Sequence, residues 1–321
     1  MTVFLLRRIG ASLLLLLLVL TFTFFFLHLL PGDPIHLLEG QKLSPEQRAN
    51  LERIYGLDRP LPEQYALWIA AMATGDWGTS LVQQRAVSAA LLDVLPATVL
   101  LASTALAVEL AASLLLGVLA ARRRGSALDH AIRVGSLLLY SLPLFWLGLM
   151  VILLFSYVWP VLPASHMHSV DAEFMSPLGW FLDLLRHLAL PALVMGLGVA
   201  GGTARFIRGS LIEVMSQDYI RSARAKGLSE RRVVWVHGMR NALVPFTQVF
   251  AASLPVLLSG SLVVEVVFSW PGLGRLAYEA ILSRDYPLIL GATALSAGMV
   301  ILGNFLADVL HALVDPRVRD A

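Results

Sequence analysis

The sequence predicts an all-α membrane protein with six transmembrane helices. Three observations carry that expectation. The 321-residue chain is 57% hydrophobic and only 14% charged, with mean hydropathy +0.74; a soluble domain carries roughly 25% charged residues. Apolar runs of bilayer-spanning length recur along it. Its 24 Lys and Arg fall unevenly between the segments that join those runs.

The first run, Ile9–Leu30, is dominated by Leu and Phe and follows Arg7 and Arg8. It is longer than the roughly 7–15 residues of a signal-peptide core, and no small-x-small cleavage site follows. It is therefore expected to remain as a span. The segment from Pro31 to Leu95 is too long for a turn. Ser44-Pro45-Glu46-Gln47 reads as an N-cap with proline at the first helical position, opening a helix through Ile54 that ends at Gly56. Pro62–Met72 reads as a second helix, so this segment is expected to form a small helical cap packed on the spans. The second span is placed at Ala97–Ala121, with Pro96 suiting its first turn. The third is placed at Ile132–Val158 and bent at Pro143, the fourth at His187–Ile207, the fifth at Pro245–Phe268 and the sixth at Leu288–Leu313. The chain then divides into the N-terminal end and first span (1–30), the cap (31–95), a five-helix core (96–313) holding a polar loop at 209–244, and a tail (314–321).

Orientation follows from the basic residues in the connections. With the N-terminus placed in the cytoplasm, 16 of the Lys and Arg lie on inside segments and 8 on outside ones. Both termini, and the loop before Pro245, are therefore expected in the cytoplasm.

Composition also excludes. There are no cysteines, so disulfides, thiolate metal sites and a cysteine nucleophile are ruled out. The two lysines, Lys42 and Lys226, follow Gln41 and Ala225. A phosphate-binding loop needs Gly-Lys-Ser/Thr, so any ATP hydrolysis belongs to another subunit.

The most polar stretch, Tyr219 to Pro245, carries Arg221, Arg224, Lys226, Arg231, Arg232 and Arg240 against the single Glu230. Ile212, Met215, Tyr219 and Ala223 share one face at helical spacing, so the fourth span is expected to continue into the cytoplasm. Gly227 fits a left-handed helix end, Leu228 the apolar contact that follows it, and Ser229 the cap of a second helix through Val236. A short helix of small and basic residues fits a groove on a partner, its charges setting the orientation. A solvated loop obeying the positive-inside bias is the competing reading.

"DYIRSARAKGL…RNALVP" resembles the cytoplasmic EAA loop of ABC-importer permeases, in the form of the peptide/nickel-type subfamily, first (B-type) subunit. "LRRIGASLLLLL", "LPGDP" (Leu30–Pro34), "GDWGTS" (Gly75–Ser80), "FSWPGLGRL" (Phe268–Leu276), "RDYP" (Arg284–Pro287) and "DPRVR" (Asp315–Arg319) match that subfamily's landmarks in order, over nearly the whole chain. Arg221-Ser222-Ala223 stands where the general pattern has Glu-Ala-Ala, a variant typical of the peptide-type branch. The resemblance implies a type I ABC importer permease with no catalytic residue and no cofactor. It implies that Tyr219, Arg221, Ser222, Ala223, Arg224, Ala225, Lys226, Gly227 and Leu228 form the coupling helix that meets an ATP-binding subunit. The implied partners are a C-type permease, two cytoplasmic ATPases, an extracytoplasmic solute-binding protein and membrane lipid, with no nucleic acid. Di- or oligopeptides are the implied cargo; nickel, glutathione or another small solute is the alternative.

Ionisable groups at membrane depth are functional candidates. Glu109 lies in the second span; Asn304 and Asp308 share a face of the sixth. A proton relay would make the chain a secondary transporter. Interhelical hydrogen bonding of Glu109 and hydration of Asp308 at the membrane edge is the favoured reading, since a relay needs more aligned carboxylates. Gly196, Gly198, Gly201 and Gly202 suit close helix packing. His28, His166, His168 and His187 are too scattered to predict a metal site. Pro271–Gly274 reads as a turn. No intramembrane protease set is present.

Overall fold

A computed structural model of the chain describes residues 2–29, 46, 58–239, 242 and 262–314. Most of the expected helix at 44–54, most of the expected fifth span, Arg240, "LPGDP" and "DPRVR" lie outside them. Among the described residues the elements are helical, with one isolated antiparallel bridge between Thr79 and Ala86. Among the described residues four helices are long and apolar enough to cross a membrane, with spans at Arg7–Leu29, Val87–Arg122, Pro177–Met215 and Tyr286–Val309. Ala127–Ser141 and Leu144–Val158 form a fifth only if their 104° bend is counted as one broken span.

The chain forms two compact units. The first holds residues 1–98 and 271–301; the second holds 99–270 and 302–321. In the first, α1 (Thr2–Leu29) exposes Leu13, Leu14, Leu18 and Phe22, as a helix in lipid does. Phe24 on its opposite side is buried under α2 (Leu61–Ala73), stacking on Trp68 at 5.3 Å, while the Thr21 and Tyr65 hydroxyls hydrogen-bond at 2.6 Å. The helix expected at Pro62–Met72 thus exists and packs on the first span.

The helix expected to begin at Ala97 begins ten residues earlier. It is α3 (Val87–Arg122), with Pro96 in its interior. Proline removes one backbone hydrogen bond there, but Val87, Ala90 and Leu91 are fully buried. Val87 and Leu91 pack where Gly291 leaves room on α11 (Tyr286–Val314), and that burial keeps the preceding turns helical.

The "GDWGTS" and "RDYP" landmarks meet in this unit. Asp285 is buried at the start of α11 and caps it by accepting from the Leu288 amide at 3.3 Å. The same carboxylate accepts from the Ser80 hydroxyl and from the Leu81 and Val82 amides at 3.2 and 3.1 Å. Beyond α9 (Leu262–Val267), Pro271 and Gly272 turn the chain into α10 (Leu273–Leu282), whose Leu273 amide donates to the Thr98 hydroxyl at 2.7 Å.

In the second unit the expected third span is broken. It consists of α4 (Ala127–Ser141) and α5 (Leu144–Ile152), which continues as a π-helical turn through Val158. Leu142 is extended between them (φ −77°, ψ 136°), because a residue before proline avoids the helical region. The fourth span is longer than expected. It is α6 (Pro177–Met215), 39 residues capped by the Ser176 hydroxyl, which accepts from the Gly179 amide. At 1.5 Å per residue it reaches about 58 Å, well beyond a ~30 Å hydrocarbon core. It nevertheless stops at Met215, short of the continuous face expected through Tyr219 and Ala223.

The glycines of α6 divide by their surroundings. A Cβ on Gly196 would lie 2.6 Å from the Ala105 carbonyl oxygen of α3, and one on Gly201 would lie 2.6 Å from that of Ser136 on α4. These two positions let backbones touch. A Cβ on Gly198 meets only the flexible end of Leu144 at 3.3 Å, and one on Gly202 only the Tyr140 ring at 4.0 Å. Gly196→Ala is therefore expected to destabilise the protein by about 1–3 kcal/mol, the cost of overpacking, and Gly198→Ala by far less. Thermal unfolding of both variants in detergent checks this; equal midpoints would contradict it.

Candidate docking segment and buried polar sites

The polar stretch begins where α6 ends. The Ser216 hydroxyl bonds back to the Glu213 carbonyl at 2.7 Å, competing with helix continuation, and Gln217 is extended (φ −72°, ψ 152°). A separate helix, α7 (Asp218–Ala225), follows, with Asp218 in its first turn, where the helix dipole favours a negative charge.

One side of α7 is apolar and turned inward. Ile220 and Ala223, three residues apart, are buried against Val233, with Met215 and Leu228 packed around them. Ala223 is thus an anchor: i, i+3 spacing puts it beneath Ile220, facing the protein. Tyr219, Arg221, Ser222, Arg224, Ala225 and Lys226 are exposed. Arg221 pairs with Asp218 at 3.2 Å and Arg224 with Glu230 at 2.6 Å. Such exposed pairs orient side chains more than they stabilise.

The end of α7 closes as its sequence predicts. Gly227 has φ +74°. Its amide donates to the Arg224 carbonyl at 2.9 Å and the Leu228 amide to that of Ala223 at 3.4 Å. These are the two bonds of a Schellman motif, completed by the packing of Leu228 into the Ile220–Ala223 cluster. Ser229 holds the cap position of α8 (Glu230–Arg232), but only its backbone carbonyl bonds, to the Val233 amide at 2.9 Å. A π-helical turn, Val233–Gly238, replaces the expected regular helix through Val236.

A second apolar cluster ties this segment to the long helices. Val234, Met239 and Ala242 pack with Val118 of α3 and Leu211 of α6, and Met215 joins this cluster too. The exposed side of α7 is thereby carried on a packed base.

The polar candidates sort differently. Glu109 and Thr203 are both buried, and the Thr203 hydroxyl donates to Glu109 Oε1 at 3.0 Å, linking α3 to α6. Asn304 is exposed and Asp308 half-buried on α11. Among the histidines, His28 bonds the Phe24 carbonyl at 2.7 Å and His166 the Ser165 hydroxyl at 2.9 Å. His168 and His187 turn their Nδ1 atoms toward Asp183 at 3.1 and 3.3 Å.

One site escaped the sequence reading. Asp129 is buried in the first turn of α4 and accepts from Arg208 of α6 at 2.6 and 2.8 Å, and from the Gly125 amide at 2.9 Å. Ser126 caps the same turn, accepting from the Asp129 amide at 3.3 Å. The signal was present as Ser126-Ala127-Leu128-Asp129, a capping pattern. Its partner is 79 residues away, which no local pattern reveals.

Long apolar helices with buried interhelical polar contacts and a protruding charged helix define a multi-pass membrane protein without a catalytic constellation among its described residues. The family model "Binding-protein-dependent transport system inner membrane component" matches residues 113–320. A second model, "Binding-prot-dependent transport system membrane comp, N-term", matches residues 1–102. The chain belongs to this family of inner-membrane transport components. It is 39% identical to the di/tripeptide transport system permease protein DppB of Pseudomonas aeruginosa (strain UCBPP-PA14), covering 99% of each chain. It is 38% identical to the oligopeptide transport system permease protein AppB of Bacillus subtilis (strain 168), over 99% of this chain and 100% of the relative. It is also 38% identical to the dipeptide transport system permease protein DppB of Escherichia coli (strain K12), over 99% of each.

A structural Glu109 has a measurable consequence. Glu109→Gln retains an acceptor for Thr203 but cannot titrate, so the pH profile of transport should superimpose on that of the wild type. Thr203→Val removes the donor and should cost about 1–3 kcal/mol of stability. Loss of proton-dependent uptake in a normally expressed Glu109→Gln protein would instead assign Glu109 to a proton pathway.

Proposed function

We infer that the chain is the translocating subunit of an ATP-driven importer and that its cargo is di- or oligopeptides delivered by an extracytoplasmic binding protein. The cargo rests on the relatives, whose names specify dipeptides, di- and tripeptides, or oligopeptides. In this reading the chain pairs with a second permease, and two cytoplasmic ATPases supply the energy. Six spans, cytoplasmic termini, an outside cap at 31–95 and a tail at 314–321 belong to the same reading, supported by hydropathy and the 16-to-8 division of basic residues.

The observation that carries the mechanism is the two-sided character of α7. Its inner residues are locked to the base while its outer side presents Tyr219, Arg221, Ser222, Arg224 and Lys226. A helix held this way transmits force. Movement of an ATPase gripping its outer side passes through Met215 and Val233–Val234 into α3 and α6. A lever of this kind needs two discrete arrangements of packed elements rather than chemistry.

Gly227 tests the reading. A Cβ there would meet nothing within 4 Å, so substitution acts only through the left-handed backbone. That conformation costs an ordinary residue roughly 1–2 kcal/mol, and asparagine tolerates it better. Gly227→Val should insert into the membrane normally but lose ATPase co-purification and uptake. Gly227→Asn should retain most of both. Normal uptake by Gly227→Val would reduce the segment to a solvated loop.

A further inference from the structure

A cavity of about 450 Å³ lies at the foot of α7, within the second unit. Arg122 at the end of α3, Arg124 just beyond it and Arg224 of α7 line it, together with Glu230; Leu211 and Val234 contribute to its apolar wall. Arg123, between the first two, does not line it. Glu230 already engages Nε of Arg224, but among the described residues no carboxylate pairs with Arg122 or Arg124. The hollow thus combines excess positive charge with an apolar lining, at the basic end of α3. A positive-inside bias accounts for arginines at this level. It does not account for two of three consecutive arginines sharing one hollow with a third from another helix.

We propose that this cavity binds a phosphate ester, with Arg122 and Arg124 on the phosphate oxygens and the apolar wall against the attached carbon chain. Guanidinium groups match phosphate geometry, and basic pockets at a membrane's charged face suit anionic lipid headgroups. The ligand chemistry is shared by an anionic phospholipid and a soluble glycerol phosphate. Because Arg224 lines the cavity and belongs to α7, occupancy bears on the position of the docking helix. The binding itself is independent of any ATPase and is measured without one.

The test uses the full chain in phosphatidylcholine nanodiscs with a trace of photoreactive phosphatidylglycerol. Crosslinks are expected at 121–124 and 211–216. Unlabelled phosphatidylglycerol should displace them, and Arg122→Gln/Arg124→Gln should reduce them by at least about tenfold, as expected for losing charge-assisted hydrogen bonds. Arg123→Gln removes the same kind of charge one residue away and should leave them unchanged. Displacement by millimolar glycerol 3-phosphate as effective as by lipid would support the site but assign it to a soluble ester. Equal labelling in all three proteins, or none at these segments in the wild type, would overturn the proposal. Monodisperse gel filtration of the double variant excludes misfolding as the cause of lost labelling.

Discussion

Met215 belongs to two apolar clusters at once, and the mechanical reading of this chain depends on that contact. On one side it packs with Ile220, Ala223 and Val233 beneath the docking helix; on the other it joins Val118 and Leu211 of the long helices, together with Val234 and Met239. Gly238 contributes by absence, since a Cβ there would approach the Met215 sulfur to 3.0 Å. Without this junction α7 would be a charged segment on a tether. With it, the segment is an extension of the α3–α6 packing. Methionine suits the place, because its unbranched side chain fills irregular gaps between packed elements.

The remaining connections in the second unit reinforce the same body by other means. Close backbone approach at Gly196 and Gly201 needs no hydrophobic driving force, which lipid would not supply. The Glu109–Thr203 hydrogen bond joins α3 to α6 in the apolar region, and the Arg208–Asp129 pair joins α6 to α4 near a polar turn. Each links helices that are distant in sequence.

How much of this was legible in the sequence follows from the range of the physics involved. Hydropathy located α1, α6 and α11, because lipid imposes its pattern residue by residue. Local backbone rules located the break at Pro143 and the left-handed end at Gly227. The start of α3 was misplaced because Pro96 argues for a terminus locally, whereas burial of Val87 and Leu91 decides otherwise. The halt at Met215 was missed because the helical periodicity carries on across Ser216–Gln217. The side of α7 that Ala223 occupies is not legible locally, because small size suits both a contact face and an anchor, and only packing distinguishes them. Arg208 read as one more inside charge until its buried partner, Asp129, was in place.

The central claim is that the outer side of α7 is gripped by a cytoplasmic ATPase. Ser222 is exposed on that side, and the chain contains no cysteine, so Ser222→Cys provides a unique attachment point. The decisive measurement is crosslinking of Ser222→Cys to single-cysteine ATPase partners in native membranes, with Thr79→Cys as the control for the opposite side. The account predicts an ATPase crosslink from position 222 whose yield changes with ATP, and none from position 79. A crosslink from position 79 and never from 222 would place the docking surface on the wrong side of the membrane and contradict the account.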